Sequence, residues 1–198
     1  MAKATAAAKR VRVAKAPEVR REDLLDAGLR VLRKRGHDAT VADITAAAGV
    51  AKGTFYLYFS SKDELVQALR QRFEDGFFAE VAAGVDLNVA GDWWRMADRT
   101  VERFVDFLLG IQDVHDVLYH GTYGLSAAGR PDSIDGLADF LRGGIEVGAF
   151  AVRDPDTTAA LLFSAIHGAV DIAVAREDVD RDRLVAAGLE LTHQALSP

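Results

Sequence analysis

Residues 40–64 read Thr40-Val-Ala-Asp-Ile-Thr-Ala-Ala-Ala-Gly-Val-Ala-Lys-Gly-Thr-Phe-Tyr-Leu-Tyr-Phe-Ser-Ser-Lys-Asp-Glu64 and predict two short helices joined by a tight turn. Thr40 begins the first helix, and Asp43 stands three residues later, which is the spacing of a capping box. Gly49 ends that helix because glycine tolerates the left-handed conformation of a helix stop. The second helix is predicted from Lys52 to Tyr58. This arrangement predicts a helix-turn-helix whose second helix faces the major groove of DNA.

The side chains in and around the second helix have chemistry that suits DNA. Lysines neutralise phosphates, hydroxyl groups donate hydrogen bonds to phosphate oxygens or base edges, and a glycine lets the backbone approach closely. The predicted DNA contacts are Thr40, Lys52, Gly53, Thr54, Tyr56, Tyr58 and Lys62. Thr40 is expected to contact a phosphate at the start of the first motif helix. The alternative, on these residues alone, is a plain helical hairpin with two surface tyrosines.

The same stretch resembles the signature of the TetR family of bacterial transcriptional regulators. Residues 48–59 read Ala-Gly-Val-Ala-Lys-Gly-Thr-Phe-Tyr-Leu-Tyr-Phe, and Ser61-Lys62-Asp63-Glu64-Leu65 follows. The family pattern is similar to Ala-Gly-Val-Ser-Lys-Gly-Thr-Leu-Tyr, followed by Phe and then Ser-Lys-Glu. The resemblance covers about the first third of the chain. Two positions depart from it. Leu57 stands where the family often has His or Tyr, which removes one usual DNA-side contact. Ala51 stands where the family commonly has a serine that could cap the second helix.

The resemblance implies an all-α protein with an N-terminal three-helix DNA-binding domain and a C-terminal helical bundle for ligand binding and dimerisation. The expected divisions are a basic flexible arm over 1–17, a helix-turn-helix domain over 18–64 and a helical body over 65–198. The implied function is sequence-specific transcriptional regulation, as a repressor that a small-molecule ligand releases from a palindromic operator. The helix from Ser61 to about Val81 is expected to carry the ligand's effect to the DNA-binding domain. An activator remains open as well.

Charge is distributed unevenly along the chain. Residues 1–60 hold 12 Lys and Arg residues against 6 Asp and Glu residues, whereas residues 61–198 hold 12 against 24. A basic N-terminal part followed by an acidic remainder is typical of a DNA-binding head on a body that does not contact DNA. The arm over 1–17 is interpreted either as a segment that follows DNA phosphates or as a solvated tail.

The composition limits the protein classes that need to be considered. A chain of 198 residues is long enough for a sizeable core. It has no cysteine, which excludes disulfides and thiolate chemistry. No long uncharged apolar run and no signal peptide are evident, so no membrane span is expected and a cytoplasmic location is favoured.

Hydrophobic periodicity predicts helices through the rest of the chain. They are expected over 18–35, 61–81, 92–109, 112–120, 132–148 and 155–176, with a last helix from Asp180 to about Leu196. Ser61 and Glu64 have the spacing of a second capping box, and Asp154 and Asp180 are the expected caps of the last two helices. Loops are expected over 84–91 and 121–131. The last two helices are predicted to form a homodimer surface, with completion of the monomer core as the alternative. The predicted dimer residues are Leu161, Leu162, Ala165, Ala169, Ile172, Leu184, Gly188, Leu191 and Ala195.

The body is also predicted to hold a small-molecule pocket between facing helices. The candidate ligand-binding residues are Trp94, Phe104, Phe107, Tyr119, His120, Tyr123, Phe140, Phe163, His167 and Asp171. Most of them are aromatic and few are charged, which favours an apolar or aromatic effector. Aromatic residues at helical spacing are also the ordinary content of a core, and this alternative stays open.

An enzyme is the second class of protein to weigh. His167 and Asp171 are four residues apart on a predicted helix and could bind a metal or form an acid–base pair. His115 and His120 lie five residues apart. No third ligand stands at a diagnostic spacing, and there is no His-Glu-x-x-His and no phosphate-binding glycine loop. We therefore expect no catalysis, no cofactor and no metal. A DNA-binding module without a regulatory role is the third interpretation.

Overall fold

The computed structural model describes residues 16–83, 86, 92–120 and 132–197, and within these ranges every regular element is helical. This confirms the all-α class. The helices are α1 (Pro17–Arg35), α2 (Val41–Ala48), α3 (Lys52–Phe55), α4 (Lys62–Ala82), α5 (Asp92–Gly110), α6 (Asp132–Glu146), α7 (Pro155–Ala175) and α8 (Arg181–Leu196). A short 3₁₀ turn at Gly36–Asp38 precedes α2, and a π-helical turn at Asp116–His120 follows α5.

Helices α1 to α3 and the first turns of α4 surround one hydrophobic core. Its fully buried side chains include Leu24, Leu25, Leu32, Ile44, Phe55, Phe59, Leu65 and Leu69. Gly28 sets the close crossing of α1 and α4, because a Cβ atom there would lie 2.6 Å from Leu65 Cδ2. Arg72 of α4 joins the two helices from outside, with its guanidinium 2.8 Å from the carboxylate of Asp26.

The predicted caps of the helix-turn-helix are present. The Asp43 backbone N–H donates to Thr40 Oγ1 at 3.2 Å, and the Thr40 N–H donates to the Asp43 carboxylate at 3.0 Å. These two hydrogen bonds complete the capping box of α2. Gly49 has φ +67°, a left-handed conformation that strains any residue with a Cβ atom. The turn between α2 and α3 therefore forms as the sequence predicts.

The start of α4 differs slightly from the expected capping box. Ser61 Oγ accepts from the Glu64 N–H at 3.1 Å, as expected. The Glu64 carboxylate, however, accepts from the backbone N–H and the hydroxyl of Ser60, both at 2.6 Å. In a capping box this carboxylate would accept from the backbone N–H of the cap residue, Ser61, but here it accepts from the residue before the cap. The pKa of Glu64 is lowered by these hydrogen bonds from Ser60, which favour its ionised form.

Two predicted helices are shorter or different in the structure. The second motif helix was predicted over Lys52–Tyr58, but α3 ends at Phe55 and continues as turns over residues 56–58. Ala51 provides no side-chain cap, in line with its departure from the family pattern. The helix predicted over 112–120 is confirmed only from residue 115 onwards, where a π-helical turn covers Asp116–His120; residues 111–114 form turns instead.

The segment after α5 packs against the DNA-binding domain. Ile111, Val114 and Leu118 are all buried in the same core as the helix-turn-helix domain. Arg33 of α1 adds an ion pair with Asp113 at 3.1 Å. The segment therefore belongs to the body by sequence but packs with the DNA-binding domain. This contact crosses the boundary expected at residue 64.

Helices α5 to α8 form the body, and α4 lies against α5. Asp154 and Asp180 cap α7 and α8 as predicted, each accepting a hydrogen bond from the backbone N–H three residues later. The rings of Phe77 on α4 and Phe104 on α5 meet edge to face, with centroids 6.0 Å apart. The expected loop over 121–131 lies outside the described residues, as does the loop over 84–91 apart from Asp86. Residues 1–15 of the expected arm do so too.

Helix α7 has enough length and apolar character to cross a membrane, which the sequence analysis did not expect. Length and composition alone are weak grounds, because core helices of soluble proteins pass the same test. In this structure Leu162, Ile166 and Val170 of α7 are buried in the body. Leu161 and Ile172 leave an apolar stripe on its opposite side, with 65% and 54% of their surfaces exposed.

Candidate DNA-binding surface and body cavity

The exposed side of α3 and the following turn carries several predicted DNA contacts. Lys52 and Gly53 are exposed, and Tyr56 has 51% of its surface exposed. Phe55 is fully buried and holds the ring of Tyr56 edge to face at 5.4 Å. Phe55 anchors this short helix in the core, while Lys52 and Tyr56 stay exposed to solvent. These groups can reach a phosphate or a base edge without rearranging the core.

The remaining predicted contacts are partly engaged within the protein. Lys62 Nζ donates to the backbone carbonyl of His37 at 2.9 Å. Tyr58 is half-buried and packs against the domain core, and Thr54 is half-buried too. Thr40 is exposed, but its hydroxyl also donates to the Asp43 carboxylate at 2.6 Å. These four are therefore less available to DNA than the side chains at the start of α3.

One exposed side chain beside this surface, Leu57, is not among the predicted DNA contacts. Leu57 has 79% of its surface exposed, the largest fraction among the exposed large hydrophobic residues. It lies next to Tyr56, so it belongs to the same protruding turn. An apolar side chain there can contact a thymine methyl group in the major groove. Its signal in the sequence is that it stands where the family often has His or Tyr.

The carboxylate at the α2 cap shapes the charge near this surface. Hydrogen bonds from the side chain and backbone of Thr40 lower the pKa of Asp43, and the positive charge of Arg35 lowers it further. Arg35 Nη1 lies 3.1 Å from the Asp43 carboxylate. Part of the charge of Arg35 is therefore balanced within the protein. Lys52 carries its charge on the exposed side of the motif.

A cavity of about 150 Å³ lies in the body between α4, α5, α6, α7 and α8. Its wall is almost wholly apolar and aromatic. The predicted ligand-binding residues that line it are Phe104, Phe107, Tyr119, Phe140, Phe163 and His167. Helix α4 contributes Phe77 and Phe78 to the same wall. Neither of these two is among the predicted ligand-binding residues.

The other predicted ligand-binding residues do not line this cavity. Trp94 packs edge to face on Phe150, with ring centroids 5.1 Å apart, and is part of the core between α5 and α6. Asp171 lies one turn beyond His167 on α7, outside the cavity wall. Tyr123 and the side chain of His120 lie outside the described residues.

A few buried polar groups lie among the apolar residues of the cavity wall. Glu74 of α4 is buried and paired with Arg70, with 2.8 Å between Nε and the carboxylate. The hydroxyl of Tyr119 is buried without a hydrogen-bond partner among the described residues, and so is that of Thr192. Burial and the nearby charge of Glu74 raise the pKa of Tyr119, while Arg70 opposes this. Tyr119 therefore stays neutral and offers a donor to whatever fills the cavity.

The predicted dimer residues divide into exposed and buried ones. Leu161, Ile172 and Leu191 are exposed large apolar side chains, with 65%, 54% and 39% of their surfaces accessible. Ala165 and Ala169 are exposed on the same side of α7, and both line a shallow apolar groove shared with α8. Leu162 and Gly188 are instead buried within the monomer. Leu162 and Gly188 therefore belong to the monomer core, whereas a dimer contact through the exposed residues stays a prediction.

Residues 24–69 match the family model described as bacterial regulatory proteins, tetR family. An uncharacterized HTH-type transcriptional regulator of Bacillus subtilis, YvdT, is 34% identical over 82 residues, which is 41% of each chain. The transcriptional repressor KstR2 of Mycobacterium tuberculosis is 40% identical over 76 residues, or 38% of each chain. The chain thus spans about two fifths of the length of these curated relatives.

Solved structures are similar over most of the chain. A TetR-like regulator from Rhodococcus sp. RHA1 is 25% identical, with a TM-score of 0.65 over 91% of this chain and 97% of that one. SmeT, the repressor of the Stenotrophomonas maltophilia multidrug efflux pump SmeDEF, is 22% identical, with a TM-score of 0.72 over 90% of each chain. The likeness to SmeT concerns the fold alone. Together these similarities include both the helix-turn-helix domain and the helical body.

Proposed function

We propose that the chain is a member of the TetR family of bacterial regulatory proteins and acts as a homodimeric, ligand-responsive transcriptional regulator that binds a palindromic operator as a repressor. The observation that carries this proposal is the outward-facing start of α3. Lys52, Gly53 and Tyr56 are exposed there on a fully buried anchor, Phe55. Double-stranded DNA is the partner that this chemistry fits, and a DNA-bound regulator acts in the cytoplasm.

Helix α4 supports the proposed ligand response. It begins at Lys62, beside the helix-turn-helix, and its Phe77 and Phe78 reach the cavity wall. At about 1.5 Å per residue its 21 residues extend roughly 30 Å. An apolar or aromatic effector between α4 and α5 would favour the arrangement of α4 that accommodates it. The population of dimers with correctly spaced recognition helices then falls.

The proposed dimer uses α7 and α8. Two DNA-reading heads gain specificity when a two-fold interface holds them one helical turn of DNA apart. The exposed side chains of Leu161, Ile172 and Leu191 supply apolar surface for such an interface. Ala165 and Ala169 let a partner helix approach closely. This interface also accounts for the apolar outer stripe of α7 without a membrane.

A non-regulatory DNA-binding module and an enzyme are the two alternative functions. A non-regulatory DNA-binding module shares the helix-turn-helix but gives no role to the cavity in the body. An enzyme finds no support among the relatives, which are named as DNA-binding regulators and repressors. Ligand-responsive regulation is favoured because it uses both the exposed motif and the apolar cavity.

The proposal is tested by selecting bound sequences from a random DNA pool at physiological salt, followed by a salt titration of the winning sequence. Recovery of an inverted repeat is expected. Binding that only follows salt, with no motif, would instead identify a non-specific binder. Tyr56→Phe is expected to weaken binding to the selected repeat by about tenfold, the loss of one hydrogen bond of roughly 1–1.5 kcal/mol. Unchanged affinity at matched salt would remove the Tyr56 hydroxyl from the contact surface.

A further inference from the structure

Two histidines and an aspartate meet at the edge of the body cavity. His167 and Asp171 lie one turn apart on α7, as the sequence predicts. The structure adds His115, from the segment after α5, 52 residues before His167. The Nε2 atoms of His115 and His167 are 2.6 Å apart. One ligand atom from each of the three side chains lies within 4.8 Å of the other two.

Neighbouring aromatic rings hold the two imidazoles in place. The ring of His115 stacks on Tyr119 with centroids 5.3 Å apart, and it meets the ring of His167 nearly at right angles. Phe163 approaches His167 edge to face at 5.5 Å. His115 is buried, and only 14% of the His167 side chain is exposed. The ligand atoms are thus fixed before any ion arrives, which reduces the entropy lost on binding.

The carboxylate completes the donor set and leaves a route from solvent. Asp171 Oδ2 lies 3.8 Å from His167 Nε2, and Asp171 Oδ1 lies 3.6 Å from His115 Nδ1. The Asp171 side chain is 39% exposed. An ion can therefore reach the site from the Asp171 side. The carboxylate also supplies negative charge that compensates part of the ion's charge.

We propose that His115, His167 and Asp171 form a binding site for one divalent transition-metal ion of the Zn²⁺ type. Two imidazole nitrogens and one carboxylate oxygen are ligands that Zn²⁺ and its neighbours favour, whereas Mg²⁺ and Ca²⁺ prefer oxygen ligands alone. Three protein ligands leave one position for water or another small ligand. With bonds of about 2.0–2.1 Å, tetrahedral ligand atoms lie roughly 3.3 Å apart. The two ring nitrogens need to separate by less than about 1 Å to admit the ion.

The position of this site gives the ion a structural consequence. His115 lies between Val114 and Leu118, both of which are buried in the core of the helix-turn-helix domain. His167 and Asp171 belong to the body. The ion therefore links a segment docked on the DNA-binding domain to the α7 helix. It is expected to stabilise this contact and to raise the unfolding temperature as its concentration rises above the Kd.

The test titrates Co²⁺, a spectroscopic substitute for Zn²⁺, into the full chain without a polyhistidine tag. We expect one Co²⁺ per chain, with the intense visible absorption of a four-coordinate ion and displacement by Zn²⁺ but not by Mg²⁺. Asp171→Asn keeps the shape of the side chain and should lower the affinity by about tenfold or more. His167→Ala should abolish the spectrum. Thermal unfolding checks that each variant is folded.

His193→Ala is the matched control. His193 also pairs with an aspartate, Asp98, at 2.6 Å, but it lies outside the three-residue cluster. Its replacement should leave the Co²⁺ affinity and spectrum unchanged. Absence of saturable binding to the wild-type chain would overturn the proposal. So would binding that Asp171→Asn and His167→Ala both leave intact. Because the readout is metal binding alone, the outcome does not depend on whether the chain binds DNA.

Discussion

Replacing Tyr119 with phenylalanine should make the protein more stable, although it removes a polar group from the body. The Tyr119 hydroxyl is buried at the cavity wall without a hydrogen-bond partner among the described residues. An unsatisfied buried hydroxyl costs about 1–3 kcal/mol relative to its hydrated state in the unfolded chain. Phenylalanine has the same ring and lacks that cost.

The other contacts of Tyr119 survive the substitution. Arg70 lies over the ring, 5.2 Å from its centroid, and His115 stacks on it. Both interactions involve the aromatic face, so Tyr119→Phe retains most of their energy. We expect the free energy of unfolding to rise by roughly 1 kcal/mol or more. For a chain of this size, each kcal/mol moves the unfolding temperature by about 2–4 °C.

The assay is urea unfolding followed by circular dichroism, at matched protein concentration so that any dimer contributes equally. An increased midpoint with an unchanged slope reports a change in stability alone. Tyr56→Phe is the matched control, because its hydroxyl lies on an exposed side chain and its removal should leave the midpoint unchanged. A lower midpoint for Tyr119→Phe would show that the hydroxyl is satisfied, and the inference of an available donor in the cavity would fail.

Three further substitutions probe other parts of the structure. Gly49→Ala places a Cβ atom at φ +67° and should cost about 1–2 kcal/mol in urea unfolding, whereas Gly53→Ala, with open space around it, should cost less. Asp43→Ala removes a carboxylate whose pKa is lowered from its ordinary value of 3.8 by hydrogen bonds from Thr40. The variant should be less stable than the wild type at neutral pH, and the difference should shrink as falling pH protonates Asp43 in the wild type; urea unfolding across pH measures this difference. Leu161→Glu should shift the proposed dimer towards monomer in light scattering. Leu57→Glu is the control, because Leu57 is also exposed but lies beside α3, and it should leave the mass unchanged. An unchanged mass for Leu161→Glu would place the dimer contact elsewhere.

Local signals in the sequence were sufficient for the helix-turn-helix. A threonine three residues before an aspartate, a glycine at a helix stop and two buried phenylalanines one turn apart all act within a few residues of each other. Their effects on backbone conformation do not depend on the distant chain. The caps of α2, α7 and α8 could therefore be predicted from residues 40, 154 and 180 and their neighbours. The pattern of the family covered the same local stretch.

The body required the tertiary structure, because long-range packing decides which side of an apolar helix is covered. Periodicity placed Trp94 and Phe104 on one helix, yet only the tertiary packing set the ring of Trp94 against Phe150 and His193 and placed Phe104 in the cavity wall. The segment after α5 starts with turns and becomes helical only at residue 115, and its apolar residues are buried in the DNA-binding domain, which no local pattern indicates.

The meeting of His115 with His167 and Asp171 is the clearest case. The sequence alone determined that His167 and Asp171 share a helix face, since four residues make about one turn. It could not supply the third side chain, because His115 is 52 residues away and no local spacing relates the two histidines. Only the packing of the segment after α5 against α7 brings them within hydrogen-bond distance, where three separate side chains become one potential ligand set.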